Sequence, residues 1–566
     1  MKGMQEKDIY YSIAYKIAKY LAKEQNNNGS FLGRNFCAQT FSTLLWSYFR
    51  DEFELNIQNA INYYIKKDKR GSVLFPHPWE FNNYALLHYH IKTKDPKISP
   101  LIGNLRFVGD RVANWTLLRA TCRFLKGGFL NVVKANLELI RVLLWFQKNG
   151  FIFDETGHAN ESRSLQYHCY SMALLAEIYE LTRKEFIKKR FLQGVDYITR
   201  LILPNGDALY VGRGQEQIFG YAALVYVLEY AHKLTKRLAY KQKADKVMSY
   251  LLKFQREDSS FPLVLREEEK EYPEEIDPQD DRFLGWYGYN DYFDYLSFLG
   301  YYLMKAHMVR VQIAHKDTKH TTKEHPDNTT TYQDDNFLLY SGPIYTAVIS
   351  RPGGYWTNDM PFPYVCYRNE SIFPCYGGEQ RLKSVYTTDA IPLPFGVSKS
   401  KVWELRREIF FLMRKIRYFV RGNSYLIPKF KPINRNKLVF RDKLKYKLTK
   451  NKLIGRSRYV DHTRIFEFQQ DTITINDKIN FKKSCRFDRL YPINYPFFDV
   501  RQITDTEFIF RYKGLEGRLI FSNPCYIEEE EFYCARGAIK AVRERMTSIK
   551  FDKGNSIVRN LIIELK

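Results

Sequence analysis

Up to about His307 the apolar residues recur at steps of three and four, the period of helices that each bury one stripe. The pattern predicts helices over Tyr11–Ala22, Phe41–Arg50, Pro78–His90, Val112–Leu125, Leu130–Gln147, Ser164–Leu181, Lys184–Leu201, Gln215–His232 and Leu238–Phe254. Turn-forming stretches such as Asn26-Asn27-Asn28-Gly29 and Pro204-Asn205-Gly206 separate them, and no strand pattern intervenes. About ten to twelve antiparallel helices in unbroken succession fit helical hairpins closed into an (α/α) toroid, and an open solenoid gives the same pattern. From Met308 to Asn336 the chain turns polar and loses its period, which predicts a linker at 310–336.

Beyond the linker the period changes to two. Runs such as FLLYSG, YTAVISR, YVCYR, KLVFRD, TRIFEFQ, DTITIND, FIFRYKG, GRLIFS and SIVRNLIIEL alternate between apolar and polar residues and are bounded by Gly, Pro, Asn and Asp. Short alternating strands of this kind predict an antiparallel sandwich with one face buried. The expected fold is therefore α+β and multidomain: an (α/α) toroid over 1–309, a linker at 310–336 and an antiparallel β-sandwich over 337–566.

Composition changes this picture in one respect. A chain of 566 residues that is 45% hydrophobic excludes a disordered protein, but its net charge of +25 calls for an acidic partner. Nucleic acid, an anionic membrane surface and an acidic polysaccharide all qualify. Tyr (43) and Phe (41) are abundant, and flat rings beside cations suit sugars and single-stranded nucleic acid alike. No RNP pattern, GXXG clamp or zinc finger supports nucleic acid. The most basic stretch, 401–460, holds nineteen Lys and Arg against three acids, which a solvated strand face explains as well as a polyanion-binding surface does. The charged N-terminus lacks a secretory h-region, giving a cytoplasmic location by default with other export routes open, and no window is apolar enough for an integral membrane segment. The eight cysteines show no metal-binding spacing, so free thiols, no metal and no cofactor are expected; the oligomeric state is open.

The candidate chemistry sits where helices should begin. The stretch NESRSLQYHCYSMALLAEIYEL ends as an ordinary apolar helix but starts with Glu161, Arg163, Tyr167, His168 and Tyr170. Similar polar and aromatic starts occur at Asn114-Trp115, at Gly212-Arg213-Gly214-Gln215-Glu216-Gln217 and at Trp286-Tyr287-Gly288-Tyr289-Asn290. In a toroid alternate helix N-termini face one side, so these residues would converge on one cleft, where helix dipoles favour an anion. Each has a structural alternative: Asn114 as an N-cap, Glu161 as a first-turn charge, Tyr167-His168 as a packed pair, the rings of Trp286, Tyr287 and Tyr289 as core.

The pattern Glu161-Ser162…Tyr167-His168, after a Gly157-His158 turn and about fifty residues beyond Asn114-Trp115, resembles heparinase II/III-like polysaccharide lyases. Its spacing is looser than theirs, and the Gly- and His-rich sandwich motif of that family is missing. Gly212-Arg213-Gly214-x-x-Gln217 is more weakly similar to the arginine-bearing loops of hyaluronate-lyase-like enzymes. The resemblance implies a toroid followed by a sandwich, with an Asn and a Tyr facing an acidic polysaccharide across the cleft.

Those residue types suit β-elimination from a uronic-acid polymer. Removing the C5 proton builds charge on the neighbouring carboxylate, which Asn114 would stabilise with Arg213 in support. Tyr167 and His168 would serve as base and acid, with Tyr289 completing the catalytic set. Glu161, Tyr170, Glu216, Trp286, Tyr287 and Asn290 would bind the sugar. Three alternatives remain: a glycoside hydrolase using two of Asp154, Glu155, Glu161, Asp207 and Glu216; a uronyl C5-epimerase; and a noncatalytic polyanion-binding protein.

Overall fold

The computed structural model of the chain describes residues 8–33, 35–71, 76–103, 112–154, 163–212, 214–265, 292–314, 329–351, 363–373, 412–413, 416, 445–456, 460–482, 485–486, 494–527, 532–534, 537–545 and 550–566. The first part is helical: α1 (Ile9–Glu24), α2 (Ala38–Trp46), α3 (Arg50–Gly71), α4 (Pro76–Thr93), α5 (Ala113–Lys126), α6 (Phe129–Trp145), α7 (Leu165–Thr182), α8 (Glu185–Leu201), α9 (Ile218–Thr235), α10 (Leu238–Leu252) and α11 (Tyr292–Ala314). All but α3 and α11 coincide with predicted helices to within about a turn. The last residues of α11 occupy the start of the stretch expected as a linker, and a strand at Thr330–Gln333 occupies its end.

Two kinds of helix alternate. Residues 165–179 of α7 and 218–232 of α9 are buried at every position, whereas α8 buries a stripe that includes Ile187, Phe191, Val195 and Ile198. A helix apolar on all sides needs neighbours on all sides. Here α2 packs on α4, α4 on α5, α5 on α7, α7 on α9, α9 on α11, and α11 returns to α2, closing a ring. Outside it α1 lies on α11, α3 on α2, α6 on α5, α8 on α7 and α10 on α9. The return contact is polar: Asp294, in the first turn of α11, accepts the backbone N–H groups of Phe36 (2.9 Å) and Cys37 (2.9 Å) ahead of α2. Burial raises this carboxyl to about 6, only partly opposed by those N–H groups.

Farther along the helices the bore is filled. Glu177 of α7 accepts from Tyr84 of α4 and Lys305 of α11, with His88 Nε2 3.1 Å away. Burial pushes the Glu177 carboxyl up, but Lys305 and His88 more than offset this and hold it at about 2. Among the described residues no helix is long and apolar enough to cross a membrane.

A hairpin follows α6, formed by β1 (Gln147–Lys148) and β2 (Phe151–Ile152). Its Asn149-Gly150 turn places both residues at positive φ, as a two-residue hairpin turn requires. The later strands are β3 (Thr330–Gln333), β4 (Phe337–Ser341), β5 (Tyr345–Ser350), β6 (Tyr364–Tyr367), β7 (Glu370–Ser371), β8 (Lys445–Thr449), β9 (Lys452–Arg456), β10 (Val460–Phe468), β11 (Thr472–Phe481), β12 (Cys485–Arg486), β13 (Asn494–Phe497), β14 (Asp499–Gln502), β15 (Glu507–Tyr512), β16 (Leu515–Phe521), β17 (Cys525–Ile527), β18 (Phe532–Cys534), β19 (Gly537–Glu544), β20 (Lys550–Phe551) and β21 (Ser556–Leu565). Every pairing between them is antiparallel. Strands β3 to β7 form one sheet in sequence order, and an eight-stranded sheet runs β14-β15-β16-β21-β11-β10-β9-β8. The predicted run KLVFRD lies outside the described residues.

The two large sheets differ in what they bury. Strands of the eight-stranded sheet alternate inward and outward, β10 burying Val460, His462, Arg464 and Phe466. Strand β5 instead is buried at all six positions and β6 at all four. The reason is that their sheet has two covered faces. Phe337, Val348, Tyr364 and Cys366 join the core of the helices, while Leu338, Ala347, Ile349 and Val365 join the core shared with the eight-stranded sheet.

The junction with the helices is held by Asp207, in the turn after α8. Its carboxylate accepts from Tyr364 (2.6 Å) and Ser371 (2.8 Å) of the sheet and from Tyr221 (3.2 Å) of α9. Tyr364 also stacks on Tyr210, ring centroids 4.6 Å apart. Replacing Tyr364 by Phe keeps the ring and leaves a buried carboxylate short of one donor, so Y364F should lose about 2 kcal/mol of stability, read as a lower urea midpoint with an unchanged slope.

Candidate active site

The first turns of the inner helices come together. Thr40 of α2 donates to Asn82 of α4 (2.7 Å), Phe81 of α4 stacks on Tyr170 of α7 (5.8 Å), Tyr167 of α7 meets Phe219 of α9 (5.7 Å), and Phe219 meets Tyr295 of α11 (4.6 Å). The N-termini therefore face one mouth of the ring, where their dipoles favour negative charge.

That mouth is lined by buried amides that each leave one polar atom without a partner, although Gln166 Nε2 donates to Gln217 Oε1 (2.6 Å). Gln39 Nε2, Asn83 Nδ2, Asn114 Oδ1, Gln166 Oε1 and Gln217 Nε2 have no hydrogen-bond partner among the described residues, and neither does the Tyr170 hydroxyl. Native interiors leave few such atoms, so their concentration in the N-terminal halves of α2, α4, α5 and α7 and at the N-cap of α9 marks where a polar ligand or ordered water would sit. Interleaved with them are Phe81, Tyr167, Tyr170, Phe219, Tyr295 and Phe298, in ring-to-ring contact. Amides beside aromatic faces are what a sugar ring requires, hydroxyls at its edge and C–H groups on its face.

Asn114 and Tyr167 lie in first turns of adjacent helices, α5 and α7. Asn114 is fully buried; its Nδ2 donates to Asp154 Oδ1 (3.0 Å), and the Ala113 N–H donates to the Asp154 carbonyl (2.9 Å). Tyr167 is 6% exposed, its N–H donating to the Ser164 N-cap hydroxyl (3.3 Å). Arg163, just ahead, is buried and its Nη2 donates to the carbonyl of Arg351 at the end of β5.

His168 occupies a different environment from its neighbour. Adjacent helical residues point about 100° apart, and His168 turns into the wall between α7 and α8. Its Nδ1 accepts the Ile152 N–H (3.1 Å), which leaves Nε2 as the protonated nitrogen, donating to the Gly194 carbonyl (3.0 Å). Phe151 stacks on the ring at 4.8 Å. Burial pushes its pKa down to about 4, opposed only in part by the Gly194 carbonyl. Both nitrogens are thus committed to backbone, which removes His168 from the proton-transfer groups expected of it. What it does is fix Ile152, and through the next two residues Asp154, the partner of Asn114.

The other expected residues divide three ways. Tyr170 is in the mouth but fully buried, and burial raises its hydroxyl well above the usual range. Glu216 is not at the mouth as expected: its Oε2 accepts from Tyr221 of α9 (2.8 Å) and Tyr250 of the outer helix α10 (3.4 Å), so its carboxylate is committed to holding those helices together. Glu161, Arg213, Trp286, Tyr287, Tyr289 and Asn290 lie outside the described residues. The neighbours of Arg213 are placed: a Cβ on Gly212, at φ +96°, would fall 2.1 Å from the Arg163 carbonyl oxygen, and one on Gly214 would fall 2.5 Å from Gln166 Nε2. Both glycines are needed for this loop to press against the start of α7.

Sequence reasoning missed Gln39, Asn83 and Gln166 as lining residues, and named Gln217 only as the end of the Gly212 stretch. The signal was available at Phe81-Asn82-Asn83-Tyr84, where amides interrupt an otherwise apolar helix. Among the described residues no cluster of three or more His, Cys, Asp or Glu side chains is placed to hold a metal ion.

No family model matches the sequence, and no curated protein matches it. Among solved structures the chain is similar to the chondroitin AC lyase of Streptomyces coelicolor A3 in complex with chondroitin sulphate, over 100% of this chain and 80% of that one, with a TM-score of 0.54 and 8% identity. What the two share is the fold, across both the helices and the sheets. Partial likenesses cover 54% of this chain: to a glycosyl hydrolase family 88 protein from Bacteroides vulgatus (99% of that chain, TM-score 0.40, 12% identity) and to the cellobiose 2-epimerase of Spirochaeta thermophila (97%, 0.41, 12%).

The committed state of His168 has a measurable consequence. Folded, it stays neutral down to about pH 4, whereas an unfolded histidine takes up its proton near 6.5. Stability is therefore undiminished above that range and falls as pH drops from about 6.5 to 4, by up to about 3 kcal/mol. The difference in unfolding free energy between wild type and H168Q, followed by urea titration across that window, should show this slope in the wild type alone.

Proposed function

We propose that the protein is a polysaccharide lyase that cleaves a uronic-acid-containing polysaccharide by β-elimination, on an (α/α) toroid followed by an antiparallel β-sandwich. The observation that carries this reading is the convergence of incompletely paired amides and aromatic faces at the N-terminal mouth of the ring. The full-length likeness in fold to a chondroitin AC lyase supports it, as do the basic charge of the chain and the resemblance of the Glu161–His168 stretch to heparinase II/III-like enzymes.

In this reading Asn114 donates its second Nδ2 hydrogen to the uronate carboxylate, whose negative charge grows as the C5 proton leaves. Asp154 holds the amide in that orientation. Tyr167 is the proton-transfer residue, and Arg213 supports the carboxylate. As C5 loses its proton, the electron pair forms the C4–C5 double bond, the C4–O bond breaks, and the departing oxygen is protonated. No water is consumed. With His168 committed to backbone, His158, in the stretch joining Asp154 to Arg163, is the histidine to test as a second proton carrier. Asp207 and Glu216, two of the carboxylates considered for hydrolysis, already accept from tyrosine hydroxyls, which disfavours the hydrolase alternative.

A panel of uronic-acid polysaccharides, followed at the ultraviolet band of unsaturated uronides, tests the proposal. At least one polymer should yield absorbing products. With that polymer Y167F and N114A should each fall at least about 100-fold in kcat, while H168Q, which removes no proton-transfer group and acts only through the hold on Ile152 and Asp154, should fall less than either. New reducing ends without absorbance would mean a hydrolase. Solvent deuterium at C5 without cleavage would mean an epimerase, and binding without either would mean a noncatalytic protein.

A further inference from the structure

Helix α6 is apolar on both sides. Toward α5 it buries Ala135, Leu139, Val142 and Leu143, as an outer helix of the ring should. Toward solvent it presents Leu130, Val133, Leu137, Ile140 and Leu144, spaced alternately three and four residues apart, with Phe129 and Trp145 at its ends. These side chains are 40% to 82% exposed. Together they amount to on the order of 800 Å² of apolar surface, against roughly 300–600 Å² for the largest patch on an ordinary monomer. Nothing in the ring requires this face, since the helix is already anchored by the other.

Among the described residues the exposed charges around it are mostly positive. Lys126, Lys134 and Lys148 are exposed on or beside the stripe, and Arg141 lies over the Trp145 ring at 5.5 Å. The single acid of α6, Glu138, is buried on the opposite face, where Arg119 Nε (2.6 Å) and Arg123 Nε (3.1 Å) neutralise it. The neighbouring start of α8 continues the pattern. Lys184 donates to Asn136 Oδ1 of α6 (2.8 Å), exposed Arg183 and Lys189 lie beside it, and Leu181 and Phe186 are about half exposed. Glu185 is the one exposed acid in this stretch, and it pairs with Lys188 (3.3 Å).

We propose that this face is a membrane-docking surface that seats the protein on an anionic lipid bilayer, with the α6 stripe entering the headgroup–acyl boundary and the lysines meeting lipid phosphates. An apolar face fringed by Lys and Arg, with aromatic residues at its ends, matches that interface in both chemistry and charge. A second copy of the chain fits less well. Pairing two α6 stripes antiparallel brings Lys134 and Arg141 of both copies to the same side, and α6 itself presents no exposed acid to offset them. The inference is independent of the proposed enzymatic activity, because α6 lies outside the ring and contributes no residue to the mouth.

The full chain is sedimented with vesicles of phosphatidylglycerol and phosphatidylcholine, and with vesicles of phosphatidylcholine alone. It should bind the first much more tightly than the second, less so at high salt, with a blue shift of fluorescence that W145F diminishes. A chain of charge +25 could adsorb to anionic vesicles anywhere on its surface, so the deciding variant is Leu137→Ser with Leu144→Ser. Both positions are exposed, the melting temperature should not change, and vesicle affinity should drop at least about tenfold. Undiminished binding by that variant, or no binding of the wild type to anionic vesicles, overturns the proposal. So does a dimer in sedimentation velocity that the same double substitution dissolves, which would assign the face to self-association.

Discussion

Helices buried on every side can be stable only if they surround one another, and the rest of this structure depends on that constraint. Helices α7 and α9 bury all positions from 165 to 179 and from 218 to 232, so each needs inner neighbours as well as an outer helix. Closing the ring meets that need, and Asp294 makes the closure specific by capping the start of α2 from the start of α11. Closure also aligns the first turns at one mouth. Polar residues that would be costly within an apolar wall are tolerated there, because N-terminal turns already hold unsatisfied donors and face a common space. Farther along, Glu177 and its partners fill the bore with polar groups that satisfy one another.

The five-stranded sheet extends the same logic to the second half of the chain. Because alternate residues of β4, β5 and β6 enter two different cores, the sheet cannot shift relative to either without exposing apolar side chains. Asp207 adds direction to that contact, and the bond from Arg163 to the Arg351 carbonyl carries it to the residue just ahead of α7. The sheets thus bear on the placement of the mouth.

Tyr167 and His168 show how finely position on a helix decides chemical fate. One faces the aromatic cluster of the mouth. The other, one residue on, is turned into the wall, where two backbone groups use both its nitrogens and burial keeps it neutral. Its contribution reaches the mouth through Ile152 and Asp154. A histidine in an acid–base-rich stretch can thus support a site without exchanging protons in it.

Local pattern was sufficient for most elements. The three-four period located α7 and α8, the two-residue period located β10, β11 and β21, and the polar starts at Asn114 and Tyr167 pointed to the mouth, because these features are properties of short stretches. Helix α11 was anticipated only through the aromatic start at Trp286-Tyr287-Gly288-Tyr289-Asn290 just ahead of it, and its last turns read as the beginning of a polar linker. The hairpin at Asn149-Gly150 escaped because two-residue strands carry no period. The partners of Glu216 and His168 could not be read from the sequence at all, and of the amides gathered from α2, α4, α7 and α9 only Asn82-Asn83 and Gln217 left a signal there. The chain by itself determined which segments are helix or strand and which side of each is apolar. Only the tertiary structure decided which side chain of a buried helix meets the mouth and which meets a neighbour's backbone, because that depends on the rotation of each helix against others distant in the sequence.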